Sequence, residues 1–184
     1  ILKDLMTGMG NTWSSIENYD GDRTHIYMTG TSAGASLCIY LAAMLESPEL
    51  AEAFHVIPAE LKIRAMGLVS GMYYTTKPDS IGLFLPSYVY GKQWKKSSFY
   101  PYINPENEAI LRHLPPSFLV TAYGDMLRNY SRQYAEAMKR CDVICHLEDF
   151  DTGKKLPHAF STTFPEMPES KRANERMVKF LLEH

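Results

Sequence analysis

Apolar and polar residues follow two regular patterns along this chain, and the change from one to the other predicts its strands and helices. Short apolar runs bounded by turn residues are typical of buried strands, and they predict strands at 24–29, Ile63–Ser70, Phe118–Ala122 and Val143–Phe150. Apolar residues three or four positions apart are typical of helices, and they predict helices at 1–18, Ala33–Glu46, Ser47–Phe54, Asn104–Leu114, Arg128–Arg140 and Ser170–Leu182. Because strands and helices alternate, the predicted fold class is α/β, with a mostly parallel sheet flanked by helices.

One stretch, residues 72–103, breaks this alternation. It is rich in aromatic residues and carries Pro78, Pro86 and Pro101, so it is predicted to be an insertion with short helices. The sequence contains no internal repeat, low-complexity tract or linker, and residues 1–184 are therefore predicted to belong to a single domain. The chain starts with Ile1, inside an amphipathic helical pattern, which predicts that it is part of a longer protein.

The composition is that of a globular protein, and it limits the kinds of partner that the chain is expected to bind. The chain has 184 residues, of which 45% are hydrophobic and 22% charged, with a net charge of −2. The sequence has no cluster of basic residues, which excludes a nucleic-acid surface. Its apolar runs are too short to span a membrane. The three cysteines Cys38, Cys141 and Cys145 lack the spacing of a disulfide framework or a zinc site. This favours a reducing, cytoplasmic location and no bound metal.

Residues 30–34 read Gly-Thr-Ser-Ala-Gly and place Ser32 in a Gly-x-Ser-x-Gly frame. A predicted strand precedes the frame and a predicted helix follows it, which is the setting in which such a serine becomes a nucleophile on a sharp turn. Gly30 and Gly34 are both expected to prevent side-chain collisions with the neighbouring strand and helix. The alternative is a glycine-bracketed turn with a surface serine, because so short a frame also arises by chance.

A serine nucleophile needs a base, usually a histidine oriented by a carboxylate, and in parallel sheets such residues gather at the carboxyl ends of strands. Asp125 follows the predicted strand at 118–122, and His158 lies in the loop after the strand at 143–150. The resulting order Ser, Asp, His is the one associated with this serine turn. Asp149 and Asp151 are the alternative acids, because they also lie at a strand end. The remaining histidines occupy less suitable positions: His25, His55, His113, His146 and His184.

These segments resemble the motifs of the hormone-sensitive-lipase-like esterases in the α/β-hydrolase superfamily. Residues 30–35 resemble the family's Gly-Asp-Ser-Ala-Gly-Gly elbow, residues 121–128 its acid loop and residues 158–160 its His-Gly-Phe loop. The resemblance implies an α/β-hydrolase fold in which residues 72–103 form a small cap-like insertion, and it implies a catalytic triad of Ser32, Asp125 and His158. The chain departs from the family's motifs at four positions: Thr31, Ala35, Met126 and Asn129.

The resemblance also indicates what precedes this chain. The family's His-Gly-Gly segment supplies N–H groups to the oxyanion hole and lies upstream of the first helix, and it does not occur in these 184 residues. The backbone N–H of Ala33 is the one oxyanion donor that can be assigned. We therefore expect the C-terminal part of a single domain, with its first strands in a missing N-terminal segment. The serine's strand would then be an exposed edge.

The function implied by the resemblance is that of a serine carboxylesterase or lipase-like hydrolase. It would act on small or medium acyl esters through an acyl-enzyme, without a cofactor. Tyr73 and Tyr74 directly follow a predicted strand, so both are expected to line the substrate pocket. Two alternatives stay open, a serine peptidase related to the prolyl-oligopeptidase group and a non-catalytic binding protein with a hydrolase fold. The presence of His158 favours an enzyme over the binding protein.

Overall fold

The computed structural model describes residues 1–151 and 153–184, and in this part of the chain four strands form one parallel sheet. The strands are β1 (Tyr27–Thr31), β2 (Ala65–Val69), β3 (Ser117–Ala122) and β4 (Cys145–Phe150). Their spatial order follows their order along the chain. The predicted mostly parallel sheet is therefore confirmed, and all four strands end at the same edge of the sheet.

Helices connect consecutive strands, as parallel pairing requires. Their bounds are α1 (Leu2–Ser15), α2 (Ala33–Glu46), α3 (Pro48–Ala53), α4 (Ser80–Tyr90), α5 (Glu108–Leu111), α6 (Arg128–Arg140), α7 (Phe160–Thr163) and α8 (Pro168–Glu183). Short 3₁₀ turns occur at Ile16–Tyr19, Trp94–Lys96 and Tyr100–Tyr102. Within these residues no helix is both long and apolar enough to cross a membrane.

Side chains on the two faces of the sheet enter two separate cores. Met66 and Leu68 of β2 and Leu119 of β3 pack with apolar residues of α1, α2, α3 and α6. Phe118 and Val120 point to the opposite face, where they pack with residues of α7 and α8. This alternation follows from the two-residue period of a strand. Because helices cover both faces, β2 and β3 are buried along their whole length, and this rigid centre carries the loops at the carboxyl edge.

Strand β1 lies at one edge of the sheet, and its residues are half-buried or exposed. A groove of about 410 Å³ runs beside it. Apolar side chains of α1 and of the segment around β1 line most of this groove, among them Leu5, Met9, Trp13, Ile26 and Met28. An edge strand beside an apolar groove is the arrangement expected where further strands of a larger sheet are absent from the chain.

Most element boundaries agree with the sequence predictions, and the differences have local causes. Strand β1 begins at Tyr27 and not at residue 24, because the Asp22 side chain accepts the Thr24 N–H at 2.7 Å and forms a turn there. The helix predicted at 104–114 is confined to α5, because Asn107 caps its start by accepting the Ala109 N–H at 2.9 Å. The short helix α7 was not predicted. Residues 72–103 do contain α4 and two 3₁₀ turns, while their cap-like role stays a prediction.

Candidate active site

Ser32 lies on the sharp turn between β1 and α2. Its backbone has φ 56° and ψ −117°, a region that residues other than glycine rarely adopt. Two backbone hydrogen bonds to the end of β2 and the segment after it hold it there. The Ser32 N–H donates to the Val69 carbonyl at 2.9 Å, and the Ser32 carbonyl accepts the Met72 N–H at 3.0 Å. Strain that neighbouring segments maintain in this way is typical of functional positions, and here it places the hydroxyl at the carboxyl edge of the sheet.

The two glycines of the serine frame have different roles. A Cβ atom on Gly30 would lie 2.5 Å from the Gly34 carbonyl oxygen and 2.7 Å from Cys38 Sγ, so no side chain fits at this position. A Cβ atom on Gly34 would meet no atom of the described part of the chain within 4 Å. The expected collision is therefore confirmed for Gly30 and wrong for Gly34, because the Cβ position of Gly34 opens onto unfilled space.

Asp125 follows β3, and its side chain is 0% exposed. The Leu127 N–H donates to Asp125 Oδ1 at 2.8 Å, and the Thr121 hydroxyl donates to Oδ2 at 3.3 Å. Gly124 brings this loop close to the loop that carries His158. Its φ is +106°, and a Cβ atom there would lie 2.8 Å from the Leu156 carbonyl oxygen. Glycine therefore permits the close approach of the two loops.

His158 connects the other two residues. Its Nδ1 lies 2.8 Å from Asp125 Oδ1, and its Nε2 lies 2.9 Å from Ser32 Oγ. An ionised carboxylate only accepts hydrogen bonds, so in the neutral imidazole the proton is on Nδ1 and the Nε2 lone pair faces the serine hydroxyl. The imidazole is 30% exposed, which leaves room for a reactant beside it. The structure thus brings all three sequence-predicted residues together, in an arrangement that can take a proton from Ser32 and return it.

Ala33 is the first residue of α2, directly after Ser32. Its N–H belongs to the first turn, where a helix provides no acceptor of its own. A negative charge that develops at the carbonyl of a reactant attacked by Ser32 would therefore meet the N-terminus of α2. This position suits the oxyanion role that the sequence predicts for Ala33, and the role itself stays a prediction.

An apolar cavity of about 370 Å³ opens next to this serine turn. The turn and α2 contribute Ala33, Ser36, Leu37 and Tyr40, and residues 72–103 contribute Met72, Thr75, Val89, Tyr90, Phe99 and Ile103. Few polar groups line it, and it has the size of a small-molecule pocket. The predicted insertion therefore does supply cavity walls, but through residues other than the two expected tyrosines.

Tyr73 and Tyr74 do not line this cavity, contrary to the expectation from their position after a strand. They are 2% and 4% exposed and belong to the core under α6. The Tyr73 ring stacks on Tyr134 with 4.4 Å between centroids, and the Tyr74 hydroxyl donates to Glu106 at 2.7 Å. After β2 the chain turns inwards, so that these rings pack beneath the sheet edge and Met72 and Thr75 face the cavity.

The alternative acids and histidines lie elsewhere. Asp149 and Asp151 pair with Arg128 at 2.8 and 2.9 Å. The Arg128 hydrogen bond holds the pKa of the exposed Asp151 carboxyl below its ordinary value. His25 bonds to Asp22 at 2.6 Å before the start of β1. His146 stacks on Phe118 with 4.7 Å between centroids. None of these groups forms a hydrogen bond with Ser32 among the described residues.

The sequence analysis missed Ser70, which is buried at the carboxyl end of β2 and accepts the Ala159 N–H at 3.0 Å. The strand-end rule that selected Asp125 and His158 applies to Ser70 as well. A serine gives no further signal, because the sequence does not show that its hydroxyl accepts the Ala159 N–H.

In the part of the chain that the structure covers, no cluster of three or more His, Cys, Asp or Glu side chains could hold a metal ion.

Comparisons with known proteins bear on the family and the fold of this chain. Residues 2–162 match the model of the alpha/beta hydrolase fold family. No curated protein matches the chain by sequence.

Solved structures resemble the chain closely in fold. Esterase B from Lactobacillus rhamnosis HN001 has a TM-score of 0.87 at 20% identity, over 98% of this chain and 59% of that one. A further crystal structure pairs esterase B with a C4-C4 SN3 tributyrin phosphonate. Esterase LipW from Mycobacterium marinum has a TM-score of 0.73 at 19% identity, over 99% of this chain and 57% of that one. An esterase from the bacterial hormone-sensitive lipase family has a TM-score of 0.66 at 19% identity, over 92% and 56%. This chain thus spans less than 60% of the length of each of these three proteins.

Proposed function

This chain belongs to the alpha/beta hydrolase fold family, and from that premise we propose that it is the C-terminal part of a serine carboxylesterase acting on small or medium acyl esters. The observation that carries the proposal is the continuous hydrogen-bonded path from Ser32 Oγ through His158 to Asp125, with contacts of 2.9 and 2.8 Å. A second support is the similarity in fold to three esterases. The cytoplasmic location expected from the cysteines stays a prediction.

In the first half of the proposed reaction, Ser32 Oγ attacks the ester carbonyl carbon while His158 Nε2 takes its proton. The tetrahedral oxyanion that forms accepts a hydrogen bond from the Ala33 N–H. Collapse of this intermediate breaks the bond to the leaving alcohol, which receives the proton from His158, and leaves an acyl-serine. The buried Asp125 carboxylate orients the imidazole and stabilises its cation.

In the second half, His158 takes a proton from water as the water attacks the acyl-serine, and the proton returns to Ser32 as the carboxylic acid leaves. Each oxyanion donor typically contributes a factor of about 100 to 1,000 in kcat. Because Ala33 supplies one donor, we expect the N-terminal segment of the full-length protein to supply the others.

The cavity beside Ala33 supports the proposed substrate class. Its volume of about 370 Å³ and its apolar walls suit a short or medium acyl chain or a comparable alcohol group. The pairing of esterase B with a tributyrin phosphonate is consistent with short acyl groups in a protein of this fold.

The test uses the full-length protein with p-nitrophenyl acetate, butyrate and longer acyl esters, and compares it with Ser32→Ala. Loss of kcat by several orders of magnitude supports the proposal, as does a mass increase on Ser32 after treatment with a phosphonate ester. Ser131→Ala is the matched control, because this buried serine has no hydrogen-bond partner among the described residues. Equal rates for Ser32→Ala and wild type would exclude Ser32 as the nucleophile. Hydrolysis of aminoacyl amides without hydrolysis of esters would favour the peptidase alternative.

A further inference from the structure

Ser70 lies at the carboxyl end of β2, between the strand that carries Ser32 and the strand that precedes Asp125. It is 0% exposed, and its φ of 49° puts a non-glycine residue in the left-handed region. The Ser70 N–H donates to the Val120 carbonyl at 2.8 Å. The pairing of β2 with β3 thus continues up to Ser70, and the backbone then turns sharply. The pairing in the middle of the sheet therefore fixes the backbone from which the Ser70 side chain projects.

Within the described residues, the hydroxyl of Ser70 accepts one backbone hydrogen bond, from the Ala159 N–H at 3.0 Å. Ala159 also has a left-handed backbone, with φ 57° and ψ 31°. Its carbonyl accepts the N–H groups of Thr162 and Thr163 at 3.1 and 3.0 Å. Both ends of this strained residue are therefore fixed, one by β2 through Ser70 and the other by the first turn of α7.

The Ala159 N–H shares its peptide plane with the His158 carbonyl. A hydrogen bond that holds this N–H also holds the peptide plane that follows His158, which is one of the two planes that set the direction of the His158 Cα–Cβ bond. The imidazole is partly exposed, and its two ring nitrogens contact the Asp125 carboxylate and the Ser32 hydroxyl. A fixed backbone keeps Nε2 near Ser32 Oγ in both protonation states of the ring.

We propose that Ser70 is a positioning residue for His158, acting through the Ala159 N–H. The inference rests on the proposed esterase function, in which His158 is the base. Ser70 is not a catalytic residue in this scheme, because its hydroxyl accepts the Ala159 N–H, and among the residues that the structure describes only His158 forms a hydrogen bond with Ser32 Oγ. The role is specific to the hydroxyl oxygen as an acceptor, and it differs from a general packing role at a buried site.

Two substitutions separate the effect of losing the hydroxyl from the effect of the backbone strain. Ser70→Ala removes the acceptor and keeps a side chain at a positive φ, whereas Ser70→Gly removes the acceptor and relieves the strain. We expect both variants of the full-length protein to lose about tenfold in kcat with KM changed less than twofold, since small displacements of a catalytic group reduce rate more than binding. Wild-type kcat in Ser70→Gly would overturn the proposal, because that variant folds without strain and lacks the acceptor.

Ser161→Ala is the matched control. Ser161 is also a fully buried serine and lies three residues after His158, but its hydroxyl has no hydrogen-bond partner in the described part of the chain. We expect wild-type kcat and KM for this variant. A loss of kcat equal to that of the two Ser70 variants would show that any lost buried hydroxyl in this region disturbs the site, and would overturn the specific role of Ser70.

A measurement that does not depend on catalytic turnover tests this inference separately from the proposed function. If the wild-type protein hydrolyses no ester, the proposed function fails, and the contact itself is still testable by amide hydrogen exchange and by the NMR signal of the His158 Nδ1 proton. We expect exchange of the Ala159 amide to accelerate at least about tenfold in Ser70→Gly, with a shifted or broadened Nδ1 proton signal. Unchanged exchange and an unchanged signal would overturn the positioning role.

Discussion

The Leu156 N–H donates to the Tyr123 carbonyl at 2.8 Å, and this bond ties the loop of His158 to the loop of Asp125. The Tyr123 N–H donates in turn to the Phe150 carbonyl at 2.8 Å, so the pairing of β3 with β4 continues beyond the strand ends. The backbone therefore brings the two loops together independently of the side-chain contact between His158 and Asp125. Any change that separates the two loops should affect both folding and the site.

Gly124→Ala should destabilise the protein by about 1–3 kcal/mol and lower kcat for ester hydrolysis. The added Cβ would sit at a φ of +106° and 2.8 Å from the Leu156 carbonyl oxygen, so the two loops have to separate. Thermal unfolding and steady-state kinetics measure the two effects. Gly91→Ala is the control, because Gly91 has a φ of +83° but a Cβ there meets no described atom within 4 Å. It should lose some stability and keep its kcat. Wild-type kcat in Gly124→Ala would contradict the prediction.

The sheet and the three site residues could be predicted from the sequence because each depends on a local pattern with a strong physical cause. The buried strands β2 and β3 require continuous apolar runs, and these runs locate the strand ends. Parallel strands then bring their carboxyl ends to one edge, so that Asp125 and His158 could be selected among several acids and histidines. The contacts of 2.8 and 2.9 Å around His158 agree with that selection.

The side-chain environments that were predicted wrongly from the sequence depend on which way the chain turns after a strand. The segment after β2 could send Tyr73 either to the cavity or to the core, and both environments suit an aromatic ring. Here Gly71 lacks a side chain, and the Tyr73 ring occupies the position that a Cβ atom on Gly71 would take. The difference between Gly30 and Gly34 likewise depends on the path of the turn, which brings the Gly34 carbonyl and Cys38 Sγ to the Cβ position of Gly30 and leaves that of Gly34 open.

The serine frame should tolerate substitution at one glycine and not at the other. Gly30→Ala should lose at least about 2 kcal/mol of unfolding free energy, because its Cβ would lie 2.5 Å from the backbone oxygen of Gly34 in the first turn of α2. Gly34→Ala should be neutral or about 0.5–1 kcal/mol more stable, because alanine favours a helix over glycine. Urea unfolding of both variants is the measurement. Equal losses at the two positions would show that the space next to Gly34 is filled in the intact protein.

Tyr134→Phe should leave the unfolding free energy unchanged or raise it by up to about 1 kcal/mol. The Tyr134 ring is buried beside Tyr73, and within the described residues its hydroxyl has no hydrogen-bond partner, so its removal ends an uncompensated desolvation. Tyr74→Phe is the matched comparison and should cost about 1–2 kcal/mol, because it breaks the 2.7 Å bond to Glu106. The two variants are compared by urea denaturation at one pH. A loss in Tyr134→Phe as large as in Tyr74→Phe would point to a water partner for the Tyr134 hydroxyl.

Arg128→Gln should change the acid dependence of stability. The hydrogen bond from Arg128 lowers the pKa of Asp151 in the folded state. The unfolded chain therefore takes up this proton at a higher pH than the folded chain does. The stabilisation is fully present above the ordinary carboxyl pKa of about 3.9, and it is lost as pH falls through the lowered folded value.

The measurement is the unfolding free energy of wild type and Arg128→Gln between pH 3 and pH 6. The difference between the two proteins should be largest at pH 6 and shrink towards pH 3. Arg112→Gln breaks an exposed pair with Glu108 and serves as the control, with a smaller effect on stability. A constant difference across the pH range would mean that Arg128 stabilises by packing and not through its carboxylate partners.

Phe99→Ala should move the acyl preference towards longer esters. The Phe99 ring lies in the wall of the cavity beside Ala33 and stacks on Phe54 with 5.4 Å between centroids, so its removal deepens the apolar space. Because each methylene that fits a pocket changes kcat/KM by about tenfold or more, the octanoate-to-butyrate ratio of kcat/KM should rise about tenfold. Tyr100→Ala, one residue further and exposed, changes the same segment without entering the cavity wall. A parallel decline for both esters in Phe99→Ala would mean that the acyl chain binds outside this cavity, and the alcohol group of the substrate would then be its natural occupant.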